Sequence, residues 1–194
     1  SHDLRNPLNV ATGRLDLVRE TVEHDDLEEI DAALDRMDTL IEELLTLSRA
    51  GSGVSDLEAV SLASLAEECW QTVAGAASTL TVASALTIRA DPNRLKQLFE
   101  NLFRNAIEHG DAAVHVTVGD LDDGIGFYVA DDGAGIPDAE RAHVFDAGYS
   151  TNEDGTGFGL AIVEDVAEAH GWSVAVRESE SGGARFEISG VDAV

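Results

Sequence analysis

The 194 residues carry 38 acidic against 12 basic side chains, a formal net charge of −26, and only one of those bases, Lys96, is a lysine. Such a surface repels nucleic acid and anionic membrane and disfavours binding to either through a basic patch, and no apolar run reaches the roughly 18 residues that crossing a bilayer takes. A hydrophobic content of 44% is enough for one globular core or two small ones, and the single cysteine, Cys69, excludes an intrachain disulfide and fits a reducing, cytoplasmic compartment.

The chain opens with an amphipathic pattern. Leu4, Leu8, Ala11, Leu15, Val18 and Val22 alternate spacings of four and three, which predicts a helix to about Glu23. His2 falls roughly 150° from the centre of that stripe, toward solvent, with Asn6 one turn along the same face. Asp3 can accept the proton of one imidazole nitrogen, which leaves the other nitrogen's lone pair free to attack phosphorus. Pro7 deletes the hydrogen bond to the Asp3 carbonyl and bends the helix just after the histidine. His24-Asp25 is a short turn, Asp26 a cap with Glu29 three residues on, and Ile30, Leu34, Met37, Ile41 and Leu44 mark a second helix that stops at Ala50-Gly51. Two such helices form an antiparallel hairpin whose stripes cannot both be buried between them. Pairing two hairpins into a four-helix bundle solves this, so a homodimer is expected.

Residues 51–57, opening Gly51-Ser52-Gly53, form a linker between a hairpin of residues 1–50 and a second domain of residues 58–192. Beyond it a short strand begins at Val60, a helix runs from about Leu62 to Ala74, and Leu80 to Ala83 and Thr87 to Arg89 read as strands. Asp91-Pro92 starts a helix that ends at Gly110, with Leu95, Leu98, Phe99, Leu102, Phe103 and Ala106 inward. Val114, Val116 and Val118 alternate as a strand does, and after Asp122-Asp123-Gly124 the chain returns from Ile125 to Ala130. A short helix near Asp138 to Val144, a glycine-rich loop, a helix from about Phe158 to His170 and strands Ser173 to Glu178 and Ala184 to Ser189 complete the chain. This order predicts one sheet with helices layered on a single face.

Three features of this second part carry ligand chemistry. Asn101 and Asn105 share a helix face, with His109 one turn further, and their amide oxygens suit Mg²⁺ held with phosphate oxygens; a solvated helix face has the same pattern. Asp131, Gly133 and Gly135 place a carboxylate at a strand end before two glycines that admit a ligand closely, able to accept from an adenine amino group, or simply form an acidic turn. Gly155, Thr156, Gly157, Gly159 and Leu160 open a helix whose N–H groups can cradle phosphate. The spacing is neither that of a P-loop nor of a dinucleotide-binding fingerprint, and with no lysine near, phosphate charge falls to Mg²⁺, backbone N–H groups and Arg104 or Arg141.

His2, Asp3, Asn6, Pro7 and Leu8 resemble the phosphoacceptor box of sensor histidine kinases, and the later features resemble, in the right order, the ATP-site boxes of that family's catalytic domain, similar to the ATPase domain of DNA gyrase. Residues 101–109 look like the Asn box, with Asn105 and Asn101 as metal ligands; Asp131, Gly133 and Gly135 look like the first glycine box. Phe145 looks like the Phe box, and Gly155, Gly157 and Gly159 like the second glycine box, flanking a lid from about Ala142 to Thr156. Glu108 stands where many relatives carry a lysine that helps with phosphate. The resemblance implies an α+β chain of two domains, a hairpin forming a dimeric four-helix bundle and then an α/β two-layer sandwich. It also implies an ATP- and Mg²⁺-dependent kinase that phosphorylates His2 and passes the group to an aspartate of a response regulator's receiver domain. The chain looks like a transmitter region whose sensor, membrane-bound or not, lies upstream. The alternatives are mainly phosphatase action on the regulator, with Asn6 placing the water, a non-enzymatic dimeric scaffold, and a gyrase-like ATPase. The acid-rich, lysine-poor composition is similar to that of proteins from a molar-salt cytoplasm, where a Debye length of about 3 Å screens surface carboxylates.

Overall fold

The computed structural model describes residues 2–19, 22, 24–47, 54, 56–75, 77–110, 113–122, 126–152 and 155–194. The chain begins with two helices, α1 (His2–Arg19) and α2 (Asp25–Leu47), packed as a hairpin. Leu8 and Leu15 of α1 are buried, while Val18, Val22, Ile30, Met37 and Leu44 of the expected stripes stay exposed. The expected cap at Asp26 is displaced: α2 already includes Asp25, and His24 does the capping, its Nδ1 accepting from the Asp26 N–H at 3.3 Å and its carbonyl from the Leu27 N–H at 3.0 Å. The expected end of the first helix at Glu23, that of the second at Ala50-Gly51, and the head of the linker lie outside the described residues.

The remainder is a two-layer α/β unit. It runs β1 (Glu58–Ser61), α3 (Leu62–Val73), β2 (Thr79–Ala83), β3 (Thr87–Ala90), α4 (Pro92–His109), β4 (His115–Asp120), β5 (Gly126–Asp131), α5 (Gly159–Ala169), β6 (Ser173–Glu178) and β7 (Ala184–Ser189). Where a single sheet was expected there are two. β1 pairs antiparallel with β3 alone, and the main sheet has the order β2-β4-β5-β7-β6, with β2 and β4 parallel and the remaining pairs antiparallel. β1 and β3 have separated because Leu62 and Ile88 turn inward at the end of the core, where the Leu62 N–H donates to the Leu86 carbonyl and Ile88 bridges to Ala193.

Register explains why one face of the main sheet is dry. Val82, Val118, Val129, Phe186 and Val176 form one row across all five strands, and the neighbouring row on the opposite face is Thr81, Thr117, Ala130, Arg185 and Arg177. Side chains alternate faces with period two, so the apolar row meets the helices and the polar row meets water. On the apolar face α4 buries Leu95, Leu98, Phe99, Leu102, Phe103 and Ala106, all six of its expected inward residues. The Phe99 ring lies 5.6 Å from both Phe103 and Phe127, and Trp70, half-buried on α3, meets Phe103 edge-on at 5.3 Å. α4 starts where Asp91 accepts from the N–H groups of Asn93 and Arg94, with Pro92 in the first turn, and Ser61 caps α3 by accepting from Ser64 N–H at 3.4 Å. The short helix expected near Asp138 to Val144 is a run of turns instead. Its hydrogen bonds mix three- and four-residue spacings, Glu140 and Arg141 N–H both donating to Pro137 and His143 and Val144 both to Glu140, so no regular helix forms.

Candidate functional site

A cavity of about 600 Å³ opens between the C-terminal half of α4, the end of β5, the loop before α5 and one face of α2. Asn101, Asn105 and His109 of α4 line it, with Asp131 at the end of β5 and Gly135 after it, Gly155, Thr156 and Gly157 in the loop before α5, and Gly159 and Leu160 at the start of α5. These residues, separated by up to 59 positions in sequence, meet because β4 and β5 run side by side under α4 and the chain then returns along α5, which packs on α4.

Asp131 is the buried charge of the site, only 9% exposed. Its Oδ1 accepts from Gly133 N–H at 2.9 Å and from Ala184 N–H at 3.0 Å. Both bonds fall on the same oxygen, so Oδ2 is the one left to a ligand donor. Burial pushes the carboxyl up from its ordinary value, and the two backbone N–H groups pull it part of the way back. An acceptor fixed in this way suits an exocyclic amino group, as adenine has.

The support beneath Asp131 comes from the turn between β6 and β7, which the strand pattern marks only by the end of one strand and the start of the next. Ser179, buried, donates from Oγ to the Asp131 carbonyl at 2.7 Å and accepts from Gly183 N–H at 2.9 Å. A side chain on Gly183 would drive its Cβ into the Asp131 carbonyl and carboxylate oxygens, so only glycine lets the β6–β7 turn lie this close. The signal in the sequence was the pair Gly182-Gly183 after a serine.

At the other end of the cavity α5 begins without a side-chain cap, leaving its first N–H groups to whatever sits before them. Gly157 has φ +73°, and a Cβ there would lie 2.5 Å from the Gly148 carbonyl carbon; the Gly148 N–H donates to the Gly157 carbonyl at 2.9 Å, pinning the two stems of the loop together. Asn101 donates from Nδ2 to the Gln97 carbonyl at 2.8 Å, and its Oδ1 faces Gly159, where a Cβ would come within 3.1 Å. The residues present therefore fit a nucleotide: an adenine acceptor at one end, uncapped N–H groups at the other. Among the described residues no group of three or more His, Cys, Asp or Glu could hold a metal. An ion here would take neutral oxygens from Asn101 and Asn105 together with phosphate.

Not every expected residue lines the cavity. Gly133 acts through its N–H to Asp131. Phe145 packs edge-on against Phe186 with centroids 6.4 Å apart, anchoring the loop to the core. Arg104 lines the cavity, but Arg141, the other guanidinium expected near phosphate, is turned away: its Nε donates to the Ile136 carbonyl at 2.9 Å and its Nη1 pairs with Asp138 at 2.7 Å. Asn6 is exposed on α1, and the side chains of His2 and Asp3 lie outside those described. Arg36, Thr39 and Glu43 of α2 line the cavity and were missed, because nothing in a helix's own periodicity tells where it docks.

Comparison with known proteins assigns each part separately. Residues 1–53 match the model of the His Kinase A (phospho-acceptor) domain, and residues 90–192 match the histidine kinase-, DNA gyrase B- and HSP90-like ATPase. The sensor histidine kinases ZraS of Escherichia coli O157:H7 and CpxA of Escherichia coli K12 are 32% and 33% identical over 97% of this chain, which spans 44% of each of them. Among solved structures, full-length ShkA in complex with AMPPNP superposes with a TM-score of 0.74 at 29% identity, over 100% of this chain and 45% of that one. The Acinetobacter baumannii histidine kinase AdeS shares the fold, with a TM-score of 0.68 at 19% identity over 99% of this chain and 98% of its own. Among the described residues no helix is long and apolar enough to cross a membrane.

Proposed function

We propose, for a chain that belongs to the sensor histidine kinase family, that it is an ATP-dependent protein-histidine kinase of two-component signalling. ATP binding is supported at the family level by the ATPase match and by the likeness to a kinase solved with AMPPNP. The observation that carries the reading is the meeting, in one cavity, of Asp131, Asn101, Asn105 and the uncapped start of α5, on a chain whose first helix begins with His2.

In this reading Asp131 holds the adenine amino group through Oδ2, with Gly133 and Ala184 fixing the carboxylate. The N–H groups after Gly157 hold phosphate oxygens. Asn105 and Asn101 would hold Mg²⁺, which when bound neutralises charge on the phosphates. His2 takes the γ-phosphoryl group: a nitrogen–phosphorus bond forms, the bond from that phosphorus to the β–γ bridging oxygen breaks, and ADP leaves. Asp3 orients or deprotonates the imidazole. The phosphoryl group then passes to an aspartate of a receiver domain. The half-exposed stripe of Ile30, Met37 and Leu44, beside an apolar groove lined by Pro7, Leu8, Ala11, Leu34 and Ile41, supports dimerisation through the hairpin. The charge of −26 supports work at high salt, and a cytoplasmic setting for this region belongs to the same reading.

Incubation with γ-labelled ATP and Mg²⁺ tests this. The label should be lost in acid and survive base, as phosphohistidine does. His2→Gln should abolish it with ATP affinity nearly unchanged, whereas Asp131→Asn should weaken ATP binding by about 1–3 kcal/mol, an amide donor now facing the adenine amino group. Undiminished label in His2→Gln would sink the assignment.

A further inference from the structure

The cavity has a charge problem that the ATP-site residues alone do not solve. Its lining carries four carboxylates, Glu43, Glu108, Asp131 and Glu140, against two guanidiniums, Arg36 and Arg104. Three further cations of the α/β unit lie outside this lining. Lys96, the only lysine, pairs with Glu68 at 3.1 Å on the α3 side, Arg94 pairs with Asp165 at 3.4 Å, and Arg141 is held by Ile136 and Asp138. A nucleoside triphosphate adds several negative charges to this lining, and those charges sit at the α5 end.

The hairpin borders the same cavity. Arg36, Thr39 and Glu43 are spaced three and four apart, so they share one face of α2, and that face is the one that enters the lining. α2 also packs against α5, whose uncapped N-terminus marks the phosphate end, while Asp131 marks the adenine end. A guanidinium approaching from α2 therefore comes to the phosphates and not to the base. Arg36 is suited to this, since the planar fork of a guanidinium can hold two phosphate oxygens.

We propose that Arg36 is a triphosphate-binding residue supplied by the hairpin. The nucleotide is then shared between the two parts of the chain: bound ATP draws the phosphoacceptor hairpin onto the α/β unit, and any signal that shifts α2 changes the affinity for ATP. This rests on the reading of the cavity as a nucleotide site.

Calorimetric titration of the whole chain with ATP and with adenosine, in the presence of Mg²⁺, tests it. Arg36→Gln should weaken ATP by about tenfold, the scale of one charge-assisted hydrogen bond, and leave adenosine unchanged. Arg36→Lys should recover part of the loss, since it restores the charge without the fork. Equal ATP affinity in wild type and Arg36→Gln overturns the proposal. So does an equal loss for ATP and adenosine, which would mean that the substitution only disturbs the cavity. The underlying reading fails separately: Asp131→Asn should weaken both ligands, and if it changes neither, the cavity does not read adenine and both ideas fall together.

Discussion

The hairpin and the α/β unit solve the burial problem to different degrees. In α4 all six inward residues are at most 4% exposed, whereas on α2 Ile30, Met37 and Leu44 remain 46%, 53% and 51% exposed in positions spaced just as regularly. The α/β unit can hide its stripe because a five-stranded sheet offers a second apolar layer to three helices. Two helices offer each other only one seam. The same periodicity therefore means a finished core in one region and, in the other, an exposed apolar stripe that the proposed dimer would cover.

Cutting into the finished core should have the largest effect. Phe103 is fully buried and touches both Phe99 and Trp70, so Phe103→Ala should cost about 3–5 kcal/mol, read as a lowered urea midpoint of the α/β unit. Met37→Asp puts a charge on the exposed stripe that the proposed dimer would bury. It should raise the dimer dissociation constant at least about tenfold by sedimentation, the scale of an unpaired polar group at an interface, while the α/β unit melts as before. If instead Met37→Asp lowered the urea midpoint as Phe103→Ala does, the contrast between the two regions would collapse.

That contrast also governs what could be read from sequence. α4 was legible to the residue because its signals agree: Asp91 caps it, Pro92 opens it, Gly110 ends it, and its apolar stripe is wide. β6 and β7 were legible because strict alternation met a glycine turn. The turns at 138–144 were not, since Pro137 sets the chain into closely spaced turns and Arg141 ties its side chain to the carbonyl of Ile136, two constraints that residue propensities do not contain. Asp131 was legible as a carboxylate at a strand end. Its support by Ser179 and Gly183 was not, because those residues lie about 50 positions away and meet it only through the pairing of β5 with β7. Arg36 was invisible for a related reason: docking of α2 on α5 is a tertiary fact with no local signature.

The smallest expected effect sits at the junction of α4, α5 and β6, in the finished region. The Nδ1–H of His170 donates to the Val166 carbonyl at 2.7 Å, and its Nε2 accepts from Asp91 N–H at 3.0 Å, so a single neutral tautomer satisfies both partners. The ring stacks on Trp172 with centroids 4.2 Å apart, and the charged groups around it are Asp91 and the Arg94–Asp165 pair. Burial pushes the imidazole down from its ordinary value of 6.5, helped by Arg94 and opposed by the Val166 carbonyl and Asp91. With the folded value depressed, the unfolded chain binds the proton first as pH falls. Stability from this histidine is therefore complete above about pH 6.5 and is lost as pH drops from there through the folded value. The raised carboxyls of Asp131 and Glu164 act the other way, adding stability as they take up protons on folding, so the whole-protein curve mixes the two. Comparison with His170→Gln separates them, since glutamine keeps a donor and an acceptor but does not titrate. Melting temperatures followed downward from pH 7 should fall more steeply for wild type than for His170→Gln, and parallel curves would show that protonation of His170 does not oppose the fold.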